Sequence, residues 1–511
     1  MKELIAFLLP PATACVGMRI NRLIVGNGIQ NNFGLGLRFA LGFATGMVIF
    51  SQTLLLASLG GINASGWLAW TALVWGALEA GLLLSKLKAG VTHTKFQVGH
   101  LWLLFLLPTI YAWWVLGQLS TLEGTLEFDA NAFWVFKSKI LYLEQGKNLI
   151  STLHQSNLGY AHLDYPMLVP CLYTLNYGAI GGVDEFVNKV WPFWMIVALC
   201  LAILSLARVW QQPKPLPVFV VMLVCYLPAT LQFIRQEGGT IPMVFFTSMT
   251  ALLMMMAIIN KQETAVATGF LLLAGCVSTK FEGVIYAALW GGFILIYSWQ
   301  RGWLKSQLIW KAIIVAAICL IPYLCLRMSK PVLHPESGWI KNGLNTPSKA
   351  IRRLPQIFLL DIGGRLFDKK FFEWKTEDKD HVYYTGSWSG LKNFENPELS
   401  LLPWLTVLIT ALSFWKKPRQ RSALGILLLI MLGQFLILSL AMSCLASMQK
   451  DVSQVIEFSG FELARYYYPF FLATFLGIIS IWFTHSHISV SEMPTNNSAP
   501  TNQTSRPKKR R

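Results

Sequence analysis

The chain has 511 residues, 54% of them hydrophobic and only 13% charged, with a mean hydropathy of +0.50; soluble domains carry roughly 25% charged residues, so a water-soluble core is excluded. The formal net charge is +17, but the basic residues fall in short clusters between apolar runs and in the tail Arg506 to Arg511, a pattern of membrane topology that implies no nucleic-acid partner. The eight cysteines, among them Cys200, Cys225, Cys276 and Cys319, lie mostly inside apolar runs with no CxxC or finger spacing, and no redox or zinc role is assigned to them.

Runs of about 20 mostly apolar residues cross a bilayer as helices, because backbone polar groups in lipid must be satisfied within the segment. These runs lack the two-residue alternation of barrel strands. In chain order, spans are expected at residues 4–19, 36–59, 66–85, 98–119, 188–208, 216–234, 240–260, 264–278, 283–299, 309–327, 401–415, 423–444 and 466–484. The fold class is therefore an all-α polytopic membrane protein with about 12 to 13 transmembrane helices, with juxtamembrane helices in the first large outer loop. The first run contains Pro10-Pro11 and has little basic charge ahead of it beyond Lys2, which favours a retained span over a signal peptide. No internal repeat is evident.

Short basic loops stay on the cytoplasmic side. The clearest is Lys416-Lys417-Pro418-Arg419-Gln420-Arg421, and Lys214, Lys261, Arg301, Lys305 and the Lys508 to Arg511 tail fall on the same side. Residues 120–189, the turn from Arg235 to Gly239 and residues 330–400 then lie outside. The stretch 165–182 is apolar enough for a span, yet counting it as one inverts every later loop. It is expected to lie at, or dip into, the outer interface, which suits Pro166, Pro170, Tyr173 and Tyr177. The organisation is N-terminal spans over 1–119, a membrane core with the first outer loop over 120–327, a periplasmic loop over 328–400, C-terminal spans over 401–484 and a disordered basic cytoplasmic tail over 485–511.

Chemistry concentrates on the outer side. The first loop carries Glu127 and Asp129, followed by an amphipathic helix whose apolar face is read as Phe133, Phe136, Ile140 and Leu141, with Lys137 and Lys139 off it. Asp129 either caps that helix or acts in catalysis. Further ionisable groups at helix ends are His162 and Asp164, Glu237, and Lys280 with Glu282 in Thr279-Lys280-Phe281-Glu282-Gly283. Such groups in membrane helices are costly and are functional candidates, although Lys280 and Glu282 also have the option of snorkelling or pairing with each other. Arg465 opens Arg465-Tyr466-Tyr467-Tyr468-Pro469 where the last span begins, placed either to grip a phosphate with its planar fork or to anchor an aromatic belt.

In their order and side, the acidic first loop, the juxtamembrane helix, the His162 to Pro166 segment, the Glu237 turn and the Thr-Lys-x-Glu-Gly turn resemble the polytopic glycosyltransferases of the C superfamily. The nearest likeness is to bacterial relatives of protein O-mannosyltransferases and lipid A aminoarabinose transferases. The likeness covers residues 119–327, with the remainder sharing general architecture. It implies inverting transfer of a sugar from a polyprenyl-phosphate donor to a lipid, glycan or protein acceptor at the non-cytoplasmic face of a bacterial inner membrane. In that scheme Asp129 is the base with Glu127 beside it, and Lys280, Glu282, Arg465, Glu237, His162 and Lys137 bind substrate or lipid phosphate. Some members use a divalent metal, but Glu127 and Asp129 have no further ligand at metal spacing, so neither metal nor cofactor is expected. A transporter or flippase of lipid-linked glycans is the main competitor. An envelope polymerase or ligase centred on residues 330–400 is a third reading.

Overall fold

The computed structural model describes residues 1–26, 33–89, 130–144, 149–153, 165–209, 215–227, 230, 233–234, 238–329, 345, 347–348, 397–446 and 452–482. The helices are α1 (Lys2–Val25), α2 (Leu35–Leu59), α3 (Ser65–Ala89), α4 (Phe136–Leu143), α5 (Leu149–Leu153), α6 (Leu168–Ile180), α7 (Val190–Val209) and α8 (Pro215–Tyr226). They continue as α9 (Thr240–Asn260), α10 (Glu263–Thr279), α11 (Phe281–Gln300), α12 (Gln307–Met328), α13 (Pro397–Lys416), α14 (Arg421–Ala446) and α15 (Val452–Trp482). Among the described residues there is no strand, and eight helices (α1, α2, α3, α7, α9, α11, α12, α14) are long and apolar enough to cross a bilayer. The protein is an all-α polytopic membrane protein.

The expected spans coincide with helices except for 98–119, which lies outside the described residues, as do most of the 328–400 loop and the whole 485–511 tail. Two boundaries differ. The span expected over 216–234 is interrupted at Leu227, with Thr230, Phe233 and Ile234 helical again, because Pro228 disfavours helical backbone at the residue just before it. The last helix begins at Val452 rather than near 466, so Arg465 sits within α15 instead of at a loop junction. The charges at Glu457, Glu462 and Arg465 bar this stretch from the lipid interior but not from being helical.

Apolar side chains stay exposed in stripes. On α12 these are Trp310, Ile314, Ile318 and Ile321, and on α14 Leu429, Leu432, Leu436 and Leu440, each at helical spacing; Trp67, Trp70, Val74 and Leu78 do the same on α3. Stripes this long on separate helices are too costly to leave in water and are surfaces for acyl chains. By contrast, α9 is buried along nearly its whole length at the centre.

Close approaches of small residues set the packing of the first helices. A Cβ on Gly17 of α1 would lie 1.9 Å from the Gly42 carbonyl oxygen, and one on Gly46 would lie 2.3 Å from the Thr13 carbonyl oxygen. The Gly42-x-x-x-Gly46 spacing thus lets two backbones touch, the way lipid-embedded helices gain van der Waals contact. Across the same crossing the Thr45 hydroxyl donates to Asn21 Oδ1 at 2.9 Å. Pro11 has no N–H, so the Phe7 carbonyl of α1 loses its helical donor; the Trp194 indole N–H of α7 supplies one at 3.0 Å.

These contacts also give direction. Gly36 of α2 lies against Leu201 and Phe43 of α2 stacks on Trp191, so α2 and α7 are antiparallel. Phe43 also meets Phe245 near the start of α9, so α7 and α9 begin at one end of the bundle. Phe7 of α1 packs on Phe193 at that same end, and Gly76 of α3 against Ala12 of α1 with Arg19 near Glu79 makes α1 and α3 parallel. The other end gathers the turns bearing Lys261, Arg301, Lys305, Lys416, Lys417 and Arg421 and is termed the basic end. Here Tyr297 donates to the Ile258 carbonyl and the Trp482 indole donates to Ser413 Oγ at 2.7 Å.

The stretch expected at the interface is α6. Its 13 residues rise only about 20 Å, too short for a hydrocarbon core of about 30 Å. Both of its ends lie at the end opposite the basic turns: Tyr165 just before it packs on Trp134, and Gly178 abuts Ser65 and Gly66 at the start of α3. Almost all of α6 is buried, so it is enclosed by protein on its several faces instead of resting one face on lipid.

Candidate functional site

After the acidic pair of the first loop, the chain forms a π-helical turn over Ala130–Val135 that runs into α4. The buried face keeps only part of the one the apolar residues suggest. Trp134, Val135, Lys137, Ser138, Ile140 and Leu141 are buried, whereas Phe133 and Phe136 are half-buried. The wide π turn shifts the register ahead of α4, where Ser138 Oγ donates back to the Val135 carbonyl at 2.6 Å, and one hydrogen bond ties the new face to α6, the Thr174 hydroxyl donating to the Ser138 carbonyl at 3.1 Å. Lys137, expected off the packed face, is therefore completely enclosed. Its ammonium lies 5.4 Å from the Trp134 ring centroid and 5.5 Å from that of Tyr165, so two aromatic faces replace part of the water it has lost. Lys139 does lie outward, ion-paired with Glu185.

Trp134 links this loop to the membrane helices. At Gly239, the N-cap of α9, a Cβ would lie 2.8 Å from Trp134 Cζ2 and 2.9 Å from Lys280 Cγ. The indole and the lysine stem thus close over one glycine. Lys280 is the extended residue between α10 and α11, with φ −148° and ψ 161°. The reason for the glycine that follows is steric, since a Cβ on Gly283 would come within 2.0 Å of the Cys276 carbonyl oxygen. The Thr279 hydroxyl donates back to the Gly275 carbonyl at 2.7 Å and closes the end of α10.

Lys280 and Glu282 are both nearly buried, and Lys280 Nζ lies 3.6 Å from Glu282 Oε1. From α14, Gln434 Nε2 points at the Glu282 carbonyl at 3.5 Å, a long contact, and the Gln434 amide is itself 1% exposed. Tyr467 of α15 packs its ring on Phe435, the next residue of α14, and pairs its hydroxyl with Ser439, more than a turn further along, at 3.0 Å. Tyr468 pairs with Thr230 at 2.7 Å, and the Thr247 hydroxyl of α9 donates to the Pro469 carbonyl. Arg465 lies in α15 two residues before Tyr467; its side chain is outside the described residues, as are Glu127, Asp129, His162, Asp164 and Glu237.

What the structure brings together is the immediate neighbours of those residues. Ala130, next to Asp129, opens the turn that holds Trp134; Tyr165 follows Asp164; Gly239 is two residues after Glu237. Of the expected site residues, Lys137, Lys280 and Glu282 are directly seen in this cluster. Lys189, 0% exposed at the start of α7, is a further enclosed charge at the same end. Trp134, Tyr165, Gly239 and Gln434 were not singled out from the sequence. Gln434 had a signal, being an amide within the otherwise apolar run of α14. Among the described residues no three His, Cys, Asp or Glu side chains gather as metal ligands. Comparison of the chain with protein-family models, with curated proteins and with solved structures finds no match in any of the three.

Proposed function

We propose that the protein is a membrane glycosyltransferase that moves a sugar from a polyprenyl-phosphate donor to an envelope acceptor, with inversion, at the non-cytoplasmic face of a bacterial inner membrane. The observation that carries the proposal is the closure of Trp134 and Lys280 over Gly239, which brings together a residue five positions after Asp129, a residue two positions after Glu237 and the Lys280–Glu282 turn. A second support is that the buried charged side chains among the described residues, Lys137, Lys189, Lys280 and Glu282, all lie at the end away from the basic turns. A transporter or flippase would be expected to carry ionisable groups near the membrane midplane.

In the proposed reaction the acceptor hydroxyl oxygen attacks the anomeric carbon from the face opposite the lipid phosphate. The bond from that carbon to the phosphate oxygen breaks, and the proton passes to the Asp129 carboxylate. Polyprenyl phosphate leaves with the negative charge, which Lys280, Lys137 and Arg465 stabilise as fixed cations in a water-poor site. The test is Asp129→Asn. Asparagine caps a helix about as well as aspartate, so a capping role predicts little change. General-base assistance is worth about a hundredfold or more, so the catalytic role predicts loss of glycan product, read by mass spectrometry of envelope glycolipids, at normal membrane abundance of the variant. Wild-type product levels would refute the assignment.

A further inference from the structure

Where α14 meets the turn between α10 and α11, buried polar side-chain atoms lack hydrogen-bond partners. Glu282 Oε1 and Gln434 Oε1 are buried without a hydrogen-bond partner, and so is Ser278 Oγ two residues before Lys280. Glu282 is 6% exposed and Gln434 1%. Glu282 Oε1 has only the Lys280 ammonium 3.6 Å away, beyond hydrogen-bond length, and Gln434 Oε1 has no donor, so a ligand that brings donors relieves the cost of burying these oxygens.

The charge balance narrows the ligand. A phosphate is anionic and offers only acceptors, and the Glu282 carboxylate 3.6 Å from Lys280 opposes it on that side. A neutral polyol is complementary: its O–H groups donate to Glu282 Oε1 and Gln434 Oε1, and its oxygens accept from the Lys280 ammonium. Depth agrees, because Gln434 lies 12 residues before the end of α14 at Ala446, about 18 Å of helix rise below that end.

We infer that Lys280, Glu282 and Gln434 form a subsite for the hydroxyls of the transferred sugar, with the lipid phosphate held on the far side of Lys280. The inference rests on the glycosyltransferase proposal and assigns part of that site to the sugar. Gln434 and Glu282 act here as sugar-binding residues, not as acid or base.

The experiment measures binding of farnesyl phosphate, and of farnesyl phosphate carrying mannose, glucose or galactose, to the full chain in phosphatidylcholine nanodiscs. Wild type is expected to bind at least one glycosylated lipid about tenfold more tightly than the bare phosphate. Gln434→Leu should cut that preference about three- to tenfold, the range of one or two neutral hydrogen bonds, while leaving affinity for bare farnesyl phosphate unchanged. Glu282→Gln should cut it in the same direction, and the melting temperature of each variant checks its folding. Wild type binding bare and glycosylated lipids equally, or a preference that survives both substitutions, overturns the sugar subsite and leaves the transferase proposal standing. Failure of wild type to bind any of the four lipids overturns both.

Discussion

Substituting Gly239 by alanine isolates the contact on which the site depends. The residue has φ −71° and ψ 0°, a backbone open to alanine, so any penalty comes from the added methyl alone. That methyl would meet Trp134 Cζ2 at 2.8 Å and Lys280 Cγ at 2.9 Å, against a carbon–carbon optimum of about 3.5–4.0 Å. Neither neighbour gives way easily. The indole is rigid, 3% exposed and packed on Tyr165, while the lysine stem is tethered by its proximity to Glu282. Overpacking of this kind costs about 1–3 kcal/mol, partly offset by the 0.4–1 kcal/mol or so that alanine contributes by restricting the unfolded chain. A net destabilisation of about 1–2 kcal/mol is expected. Separating the first loop from the Lys280 turn by even about 1 Å should lower transfer by up to about a hundredfold. The assays are thermal unfolding followed by tryptophan fluorescence, and glycan product per unit of membrane protein. Gly292→Ala is the control, since nothing lies within 4 Å of the methyl it adds to α11. Wild-type melting temperature together with wild-type product for Gly239→Ala would refute the convergence at this glycine.

Gly17→Ala should lower the melting temperature well beyond that control, because its methyl meets the Gly42 carbonyl oxygen at 1.9 Å and a backbone must move; an unchanged melting temperature would mean α1 and α2 cross loosely. Arg465→Ala should weaken use of the lipid donor more than Arg465→Lys, which keeps the charge but loses the bidentate fork; near-normal activity of both would reduce Arg465 to an interfacial anchor. A Ser348→Cys variant, in a background lacking the exposed Cys325, should react with a membrane-impermeant thiol reagent from the outer side. Labelling only after the inner membrane is permeabilised would invert the topology.

The spans were legible in the sequence because lipid imposes a one-dimensional rule: about 20 apolar residues, helical since the backbone has no other partner. That rule located helices as different in exposure as lipid-facing α3 and enclosed α9. The gathering of basic turns at one end was legible for the same reason, since Lys261, Arg301 and Lys416 each close a run of apolar residues that alternates in direction. The break after Tyr226 could have been read from Pro228, and the α1–α2 crossing from Gly42-x-x-x-Gly46. For the site, the sequence marked Lys137, Lys280 and Glu282 through the cost of charge at helix ends, and it left open whether the last two pair. Only tertiary structure decided the rest. A π turn moved the α4 register and enclosed Lys137 between two rings that lie 31 residues apart in sequence, Trp134 and Tyr165. Gly239 became a junction because residues from three separate segments meet there, and Gln434 became a candidate because α14 sets it against Glu282. Hydropathy reports how each segment meets lipid, whereas these contacts depend on which face of each segment meets another, and that is set by packing across the whole bundle.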